Sequence, residues 1–392
     1  MKILAISVRV PEDGKKGDQV LSFYRLSYLS RKYTIKLICF GSPVADADAV
    51  AVAKLEALGI SVQLIQWNKF FSSFSALAGV FDSRLPLQCA LFQSAPFKRA
   101  VVQALAVFKP DAVYAVMIRA MENLPPISVP LYVDMVDSMG LNFSRRLALA
   151  RGIKRMVFDI ECRRVSIYEV NVAQQATLSF VVSKVDQKFI AHEKVKALPL
   201  GINGDEFFKQ PVGGLEPVIV FTGNMNYKPN VDAVLWFYHR CWAKLKAAAP
   251  ALCWVVAGGN PTAEVLALRA DGAITVTGRV PSLAAVINAA RLSIAPMQSG
   301  SGMQFKILES MACGVPVVTT SLGLGDIAAI PEQDVIVADT ADEFIQSILK
   351  LLNSPDLRES IGDAGMRYVS AHHTWDALNG EFEQSTFATL KQ

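Results

Sequence analysis

At 392 residues the chain is too long for one ordinary domain, and about 150 residues per domain gives two or three. Hydrophobic residues make up 52% of it and charged residues 19%, which supports a large core and excludes a disordered chain. A net charge of +4 is too mild to mark a nucleic-acid binder, and the apolar runs stop short of the ~20 residues that span a bilayer.

The N-terminus reads as a first strand over Lys2–Ser7. It lacks the longer apolar region and small-residue cleavage site of a signal peptide. Residues 18–31 have helical periodicity, 34–40 a strand pattern, 45–58 a helical pattern again and 60–65 another strand pattern. Residues 68–99 then interleave Phe70, Phe71, Phe74, Phe81, Phe92 and Phe97 with Lys69, Arg84, Lys98 and Arg99. Such a stretch suits peripheral docking on a membrane surface, on the inner face of the cell membrane, or an ordinary helical insertion that packs into a core.

Strand patterns return at 112–115, 131–134 and 178–182, with one long helical stretch from about 145 to 175 before the last. Its basic start, 145–155, adds to the membrane reading. Asp134 and Asp137 end a strand three residues apart. They could contact an acceptor hydroxyl or act as bases, or cap a helix together with Ser138.

Residues 199–217 have the proline and glycine density of a linker. Beyond it, strand patterns recur at 218–221, 252–257, 274–277, 292–295, 316–319 and 335–337, with helices between them. Parallel strands need crossover connections, so the alternation predicts an α/β chain of two doubly wound, Rossmann-like parallel-sheet domains facing a cleft. The expected division is 1–198, a linker at 199–217, a second domain at 218–372, and a helical tail at 373–392 that packs back on the first domain.

The six cysteines show no paired spacing and suit a reducing cytoplasm, and no metal pattern is visible. His192, His239, His372 and His373 read as surface or core residues. The first strand leads into Val8-Arg-Val-Pro-Glu-Asp-Gly14 rather than a G-x-G-x-x-G turn, which argues against a nicotinamide enzyme. No cofactor is expected.

The run from Gln298 to Val318 carries the most information. Ser299, Gly300, Ser301 and Gly302 let a ligand approach the backbone, and the helix that begins near Met303 points unpaired N–H groups at that space. Lys306 and Glu309 lie three residues apart on one helical face. A phosphate fits the helix end and a hydroxylated sugar or ribose fits the carboxylate; a plain turn before a helix is the bland alternative.

The second half closely resembles the retaining glycosyltransferases of family 4, which have the two-domain GT-B fold. The resemblance rests on Phe221-Thr-Gly-Asn-Met-Asn-Tyr-Lys-Pro-Asn-Val-Asp-Ala-Val234, Val255-Val-Ala-Gly-Gly-Asn-Pro261, Val276-Thr-Gly-Arg-Val280 and Lys306-Ile-Leu-Glu-Ser-Met-Ala-Cys-Gly-Val-Pro-Val-Val318. Within the family the chain is most similar to bacterial sugar transferases of exopolysaccharide and lipid-linked glycan synthesis, whose first domains carry segments like Lys16-Gly-Asp-Gln-Val-Leu-Ser-Phe23 and Asp134-Met-Val-Asp-Ser138.

The resemblance implies a nucleotide-diphosphate sugar as donor and a glycan or lipid-linked acceptor, with no bound metal. Glu309 would hold the ribose hydroxyls, and Gly302, Met303 and Gln304 would present N–H groups to the diphosphate or donor sugar. Gly223, Asn224 and Lys228 fall in the loop after the first strand of the second domain, and Gly278, Arg279 and Val280 in the loop that borders the base. Gly17 and Asp18 match the first-domain loop that reaches toward the diphosphate and acceptor. Two features depart from the family: Ser301 stands where its first glutamate falls, and Asn224 and Asn230 stand where many members place a basic pair. Lys306 is then the best substitute cation for leaving-group departure, with Arg119 a second and Asp137 a catalytic candidate. The expected function is retaining glycosyl transfer in cell-surface polysaccharide synthesis. The alternative is a non-catalytic sugar-nucleotide or glycan-binding partner of another transferase.

Overall fold

The computed structural model describes residues 1–13, 17–42, 48–67, 85–211, 217–299 and 303–391. The chain divides into two compact units, Met1–Leu200 with Leu378–Gln392, and Gly201–Ala377.

Among the described residues the first unit holds seven parallel strands: β1 (Lys2–Ser7), β2 (Thr34–Gly41), β3 (Ser61–Gln66), β4 (Ala112–Val116), β5 (Leu131–Val136), β6 (Leu178–Val181) and β7 (Val195–Ala197). Their order is β3-β2-β1-β4-β5-β6-β7, with Ile3 opposite both Ile35 and Ala112. Central strands of such a sheet are covered on both faces, so they read as unbroken aliphatic runs. All five residues of β4 are buried. The order reverses between β1 and β4, and ligands of open α/β sheets bind beyond the strand ends at such a switch.

Two first-unit expectations change. The long helical stretch is two helices, Met139–Leu149 and Ile153–Gln175, separated at Gly152 with φ 59°. Ser138 caps the first of them through its hydroxyl, which accepts from the Leu141 N–H at 3.0 Å. The edge strand β7 is only three residues long, too short to show a period in the sequence. Of the aromatic and basic stretch, residues 68–84 lie outside the described residues. Phe97 is fully buried with its ring 4.6 Å from that of Phe40, the core-packing alternative.

Residues 378–392 group with the first unit and complete its core. Phe382 packs 4.7 Å from Phe180 and 5.5 Å from Tyr114, and Phe387 packs 5.0 Å from Tyr132. Beneath them Arg25, 1% exposed, forms a buried ion pair with Asp134 on β5. Tyr114 donates to the same carboxylate at 3.2 Å, and the guanidinium lies 4.0 Å from the Phe382 ring centroid. Burial raises the Asp134 carboxyl above its usual range and the Arg25 charge opposes it. Asp134 is therefore a structural anion rather than a contact for an acceptor or a helix cap.

The second unit holds six parallel strands among the described residues: β8 (Val218–Thr222), β9 (Cys253–Ala257), β10 (Ile274–Gly278), β11 (Leu292–Ala295), β12 (Val317–Thr319) and β13 (Ile336–Val337). The order β10-β9-β8-β11-β12-β13 reverses between β8 and β11. Residues 201–211, read from sequence as linker, pack onto this unit: the Ile202 N–H donates to the His373 carbonyl at 2.6 Å, and Ile202 and Phe207 are buried in its core. No helix among the described residues is long and apolar enough to cross a membrane.

Candidate functional site

In the second unit a cavity of about 660 Å³ opens at the carboxyl ends of the strands around the β8/β11 switch. It collects most of the predicted donor residues: Gly223, Asn224, Arg279, Val280, Met303, Gln304, Lys306 and Glu309 all line it. Gly278, with φ 72°, turns the chain at the end of β10 into Arg279. Ser301 and Gly302 lie outside the described residues. Lys228 does not line the cavity; its side chain is exposed and pairs with Asp232 on its own helix.

The helix Phe305–Ala312 begins at this cavity with Gln304 as its first flanking residue and no side-chain cap. Its first N–H groups and the positive end of its dipole are thus available to an anion. Lys306 is buried under the same wall, donating to Gln304 Oε1 at 2.8 Å and lying 5.5 Å from the Phe221 ring centroid. Burial pulls its pKa down to about 8, opposed by the nearby Glu309 charge. Burial likewise pushes Glu309 up to about 7, against the pull of Lys306 and with a smaller push from Glu206. Both groups therefore change charge close to neutrality.

Several lining residues lie in the motifs quoted from the sequence but had been given no site role: Tyr227, Gly258, Gly259 and Asn260. The signal was the Gly258-Gly259 pair directly after β9, at the same sheet end as the loop after β8. Gly258 has φ 145°, and a Cβ there would lie 1.8 Å from the Gly223 carbonyl oxygen, so the two loops touch backbone to backbone. Against them Asn230 Oδ1 and Thr222 Oγ1 are buried and without a hydrogen-bond partner, while both residues line the cavity. Unsatisfied buried oxygens on a cavity wall are places where a ligand hydroxyl gains most.

The remaining predicted residues meet in a separate cavity of about 390 Å³ in the first unit, at the β1/β4 switch. Gly17, Asp18, Arg119 and Asp137 line it, joined by Arg9, Gln88 and Arg146, which sequence reasoning had not singled out. Arg9 grips Asp18 with Nη1 at 2.9 and 2.7 Å from its two oxygens. Asn142 donates to Asp137 at 2.6 Å; burial nevertheless raises the Asp137 carboxyl above its usual range. Burial, and after it the charge of Arg9, pulls the Arg119 guanidinium below its ordinary value.

The backbone around this cavity is strained. Met117, just after β4, has φ 67°, and Val136, at the end of β5, has φ 70°. The Asp137 N–H donates to the Met135 carbonyl at 3.0 Å, which makes Val136 the centre of a γ-turn of the rare positive-φ kind. For a β-branched residue this conformation is an outlier that costs about 1–3 kcal/mol, and such costs gather at ligand sites.

Residues 216–354 match the family model of "Glycosyl transferases group 1". Among curated proteins the chain is 34% identical over 90 residues to glycosyltransferase 1 domain-containing protein 1 of Xenopus tropicalis, covering 23% of this chain and 24% of that one. It is 30% identical over 78 residues to the GDP-mannose-dependent monoacylated alpha-(1-6)-phosphatidylinositol monomannoside mannosyltransferase of Corynebacterium glutamicum, covering 20% of each. The matches thus span a quarter or less of these relatives. Solved structures match over nearly the whole chain. Sucrose-phosphate synthase of Thermosynechococcus elongatus has a TM-score of 0.63 at 15% identity, covering 99% of this chain and 100% of its own. Anabaena HepE in complex with UDP has a TM-score of 0.66 at 14% identity with the same coverage. The two parallel-sheet units have the GT-B fold.

Proposed function

We propose that this protein is a glycosyltransferase that holds a nucleotide-diphosphate sugar in the second unit and an acceptor in the first. The observation that carries the reading is the uncapped start of helix Phe305–Ala312, with Lys306 and Glu309 lining one cavity beside it. The diphosphate is assigned to the helix end, Lys306 and Arg279, and the ribose hydroxyls to Glu309. These groups supply the positive charge that leaving-group departure requires, so the reading is metal-independent. The family match at 216–354 and the UDP held by Anabaena HepE support it.

Transfer is read as retaining. With Glu309 assigned to the ribose, the acceptor oxygen bonds to the anomeric carbon on the face from which the diphosphate oxygen leaves. The hydroxyl proton passes to the departing phosphate. The acceptor class is a glycan or a lipid-linked glycan of cell-surface polysaccharide synthesis. A thermal-shift screen with UDP, GDP, ADP and CMP tests the donor assignment. One nucleotide at a hundred times its Kd is expected to add about 2.7 kcal/mol to the stability of the second unit. No shift with any of them refutes the reading, and binding without turnover across a panel of donors and acceptors favours the non-catalytic alternative.

The charge states predict a narrow pH window for that binding. Affinity is expected to rise as pH passes about 7, where Glu309 ionises, and to fall above about 8, where Lys306 loses its proton. Calorimetry from about pH 5 to about pH 10, a range of about two units beyond either group, checks it. A flat profile would remove both groups from contact with the nucleotide.

The reading also includes peripheral contact with an anionic membrane. Ile153, Met156, Val157 and Ile160 are all exposed, at the spacing of one helical face. Arg145, Arg151, Lys154 and Arg155, close to them in sequence, are also exposed. Replacing Ile153 and Met156 together with Asp is expected to cut sedimentation with phosphatidylglycerol vesicles several-fold. Thermal stability should change by no more than about 0.5 kcal/mol, as for other surface sites. Equal sedimentation of both proteins would exclude this face.

A further inference from the structure

The first-unit cavity contains a guanidinium that no carboxylate contacts directly among the described residues, although the charges of Asp137 and Asp18 act on it through space. Arg119 is largely buried, its Nη2 donates to the neutral amide oxygen of Gln88, and its Nε is buried with no hydrogen-bond partner. Among the described residues it forms no ion pair, whereas Arg9 beside it is occupied by Asp18. A largely buried guanidinium without a directly paired anion is costly, and its planar donor fork matches an oxyanion. The strained residues Met117 and Val136 border the same cavity, and Asp137 supplies an acceptor for a hydroxyl there.

We infer that this cavity selects a hydroxylated acceptor that carries an oxyanion, either a carboxylate or a phosphate, with the oxyanion on Arg119 and a hydroxyl on Asp137. The inference rests on the reading that the first unit holds the acceptor. A neutral acceptor of the same shape leaves the Arg119 guanidinium without an ion pair and is disfavoured for that reason. Arg146, exposed at the rim and without an ion pair among the described residues, adds long-range attraction for the same charge.

The test is calorimetry on the intact protein with three small probes: methyl glucuronide, glucose 6-phosphate and neutral methyl glucoside. At least one anionic probe is expected to bind about tenfold or more tightly than the glucoside, and the comparison of the two anions separates carboxylate from phosphate. That advantage should disappear in Arg119→Met and persist in Lys306→Met, whose change lies in the other cavity. Equal binding of charged and neutral probes, no binding of either anion, or an advantage that depends on Lys306 instead would each overturn the inference. If Arg119→Met does not fold, Arg119→Lys keeps the cation and removes the fork; unchanged affinity in that variant is also a refutation. Failure of the donor reading shows separately. Anion binding at Arg119 with no nucleotide shift removes glycosyl transfer and leaves this site, while a nucleotide shift without anion binding does the reverse.

Discussion

Replacing Glu309 with alanine is expected to weaken nucleotide binding by about ten- to a hundredfold, because each charge-assisted hydrogen bond contributes roughly 1.5–3 kcal/mol. The loss has two sources. The carboxylate no longer accepts from the ribose hydroxyls, and Lys306 loses the charge that opposes its desolvation. The Lys306 pKa then falls below about 8, so the variant should also lose diphosphate attraction at neutral pH. Glu309→Gln separates the two, since it keeps the shape and one acceptor oxygen while removing the charge. Calorimetry with the nucleotide chosen by thermal shift measures both variants. Wild-type affinity in Glu309→Ala would defeat the ribose assignment, and full affinity in Glu309→Gln would defeat the charge coupling.

Arg25→Met is expected to remove about 3–5 kcal/mol from the stability of the first unit, the usual result of leaving one partner of a buried ion pair alone. Asp134 is 1% exposed, and without Arg25 it keeps only neutral donors, the Tyr114 hydroxyl at 3.2 Å and the Val136 backbone N–H among the described residues. The variant also loses the guanidinium beneath the Phe382 ring. Combining it with Asp134→Leu should restore most of the stability, because an apolar pair of similar volume avoids the desolvation of both charges. Urea denaturation, followed for the transition of this unit, checks both. A change under about 1 kcal/mol in the single variant would show that water reaches the carboxylate.

The strand–helix alternation was legible because centrally placed parallel strands are aliphatic on both faces, as in Ile3–Leu4–Ala5–Ile6, all fully buried. The second-unit cavity was legible for a different reason: the loop and the helix that carry Lys306 and Glu309 are contiguous in the chain. Its other wall was only partly visible, since Tyr227 and Gly259 come from the loops after β8 and β9. The first-unit cavity was harder still. Arg9, Arg119 and Val136 arrive from the loops or ends of β1, β4 and β5, and a positive φ at a valine leaves no mark in composition. Asp134 was misread because its partner Arg25 lies 109 residues away.

The discontinuity of the first unit has a consequence for how the protein is made. Its β-sheet is encoded first, yet Phe382, Asn379 and Phe387, which close its core, are encoded only after the whole of the second unit. The later unit, contiguous from Gly201 to Ala377, has its whole core encoded without a break, whereas the earlier one needs residues encoded after it to cover its aromatic groove. A released chain truncated after Ala377 should then resist protease in its second unit and be cut in its first; equal resistance of both would show that the closing helix is dispensable. The half of the molecule that is encoded first is therefore also the half whose core is encoded last.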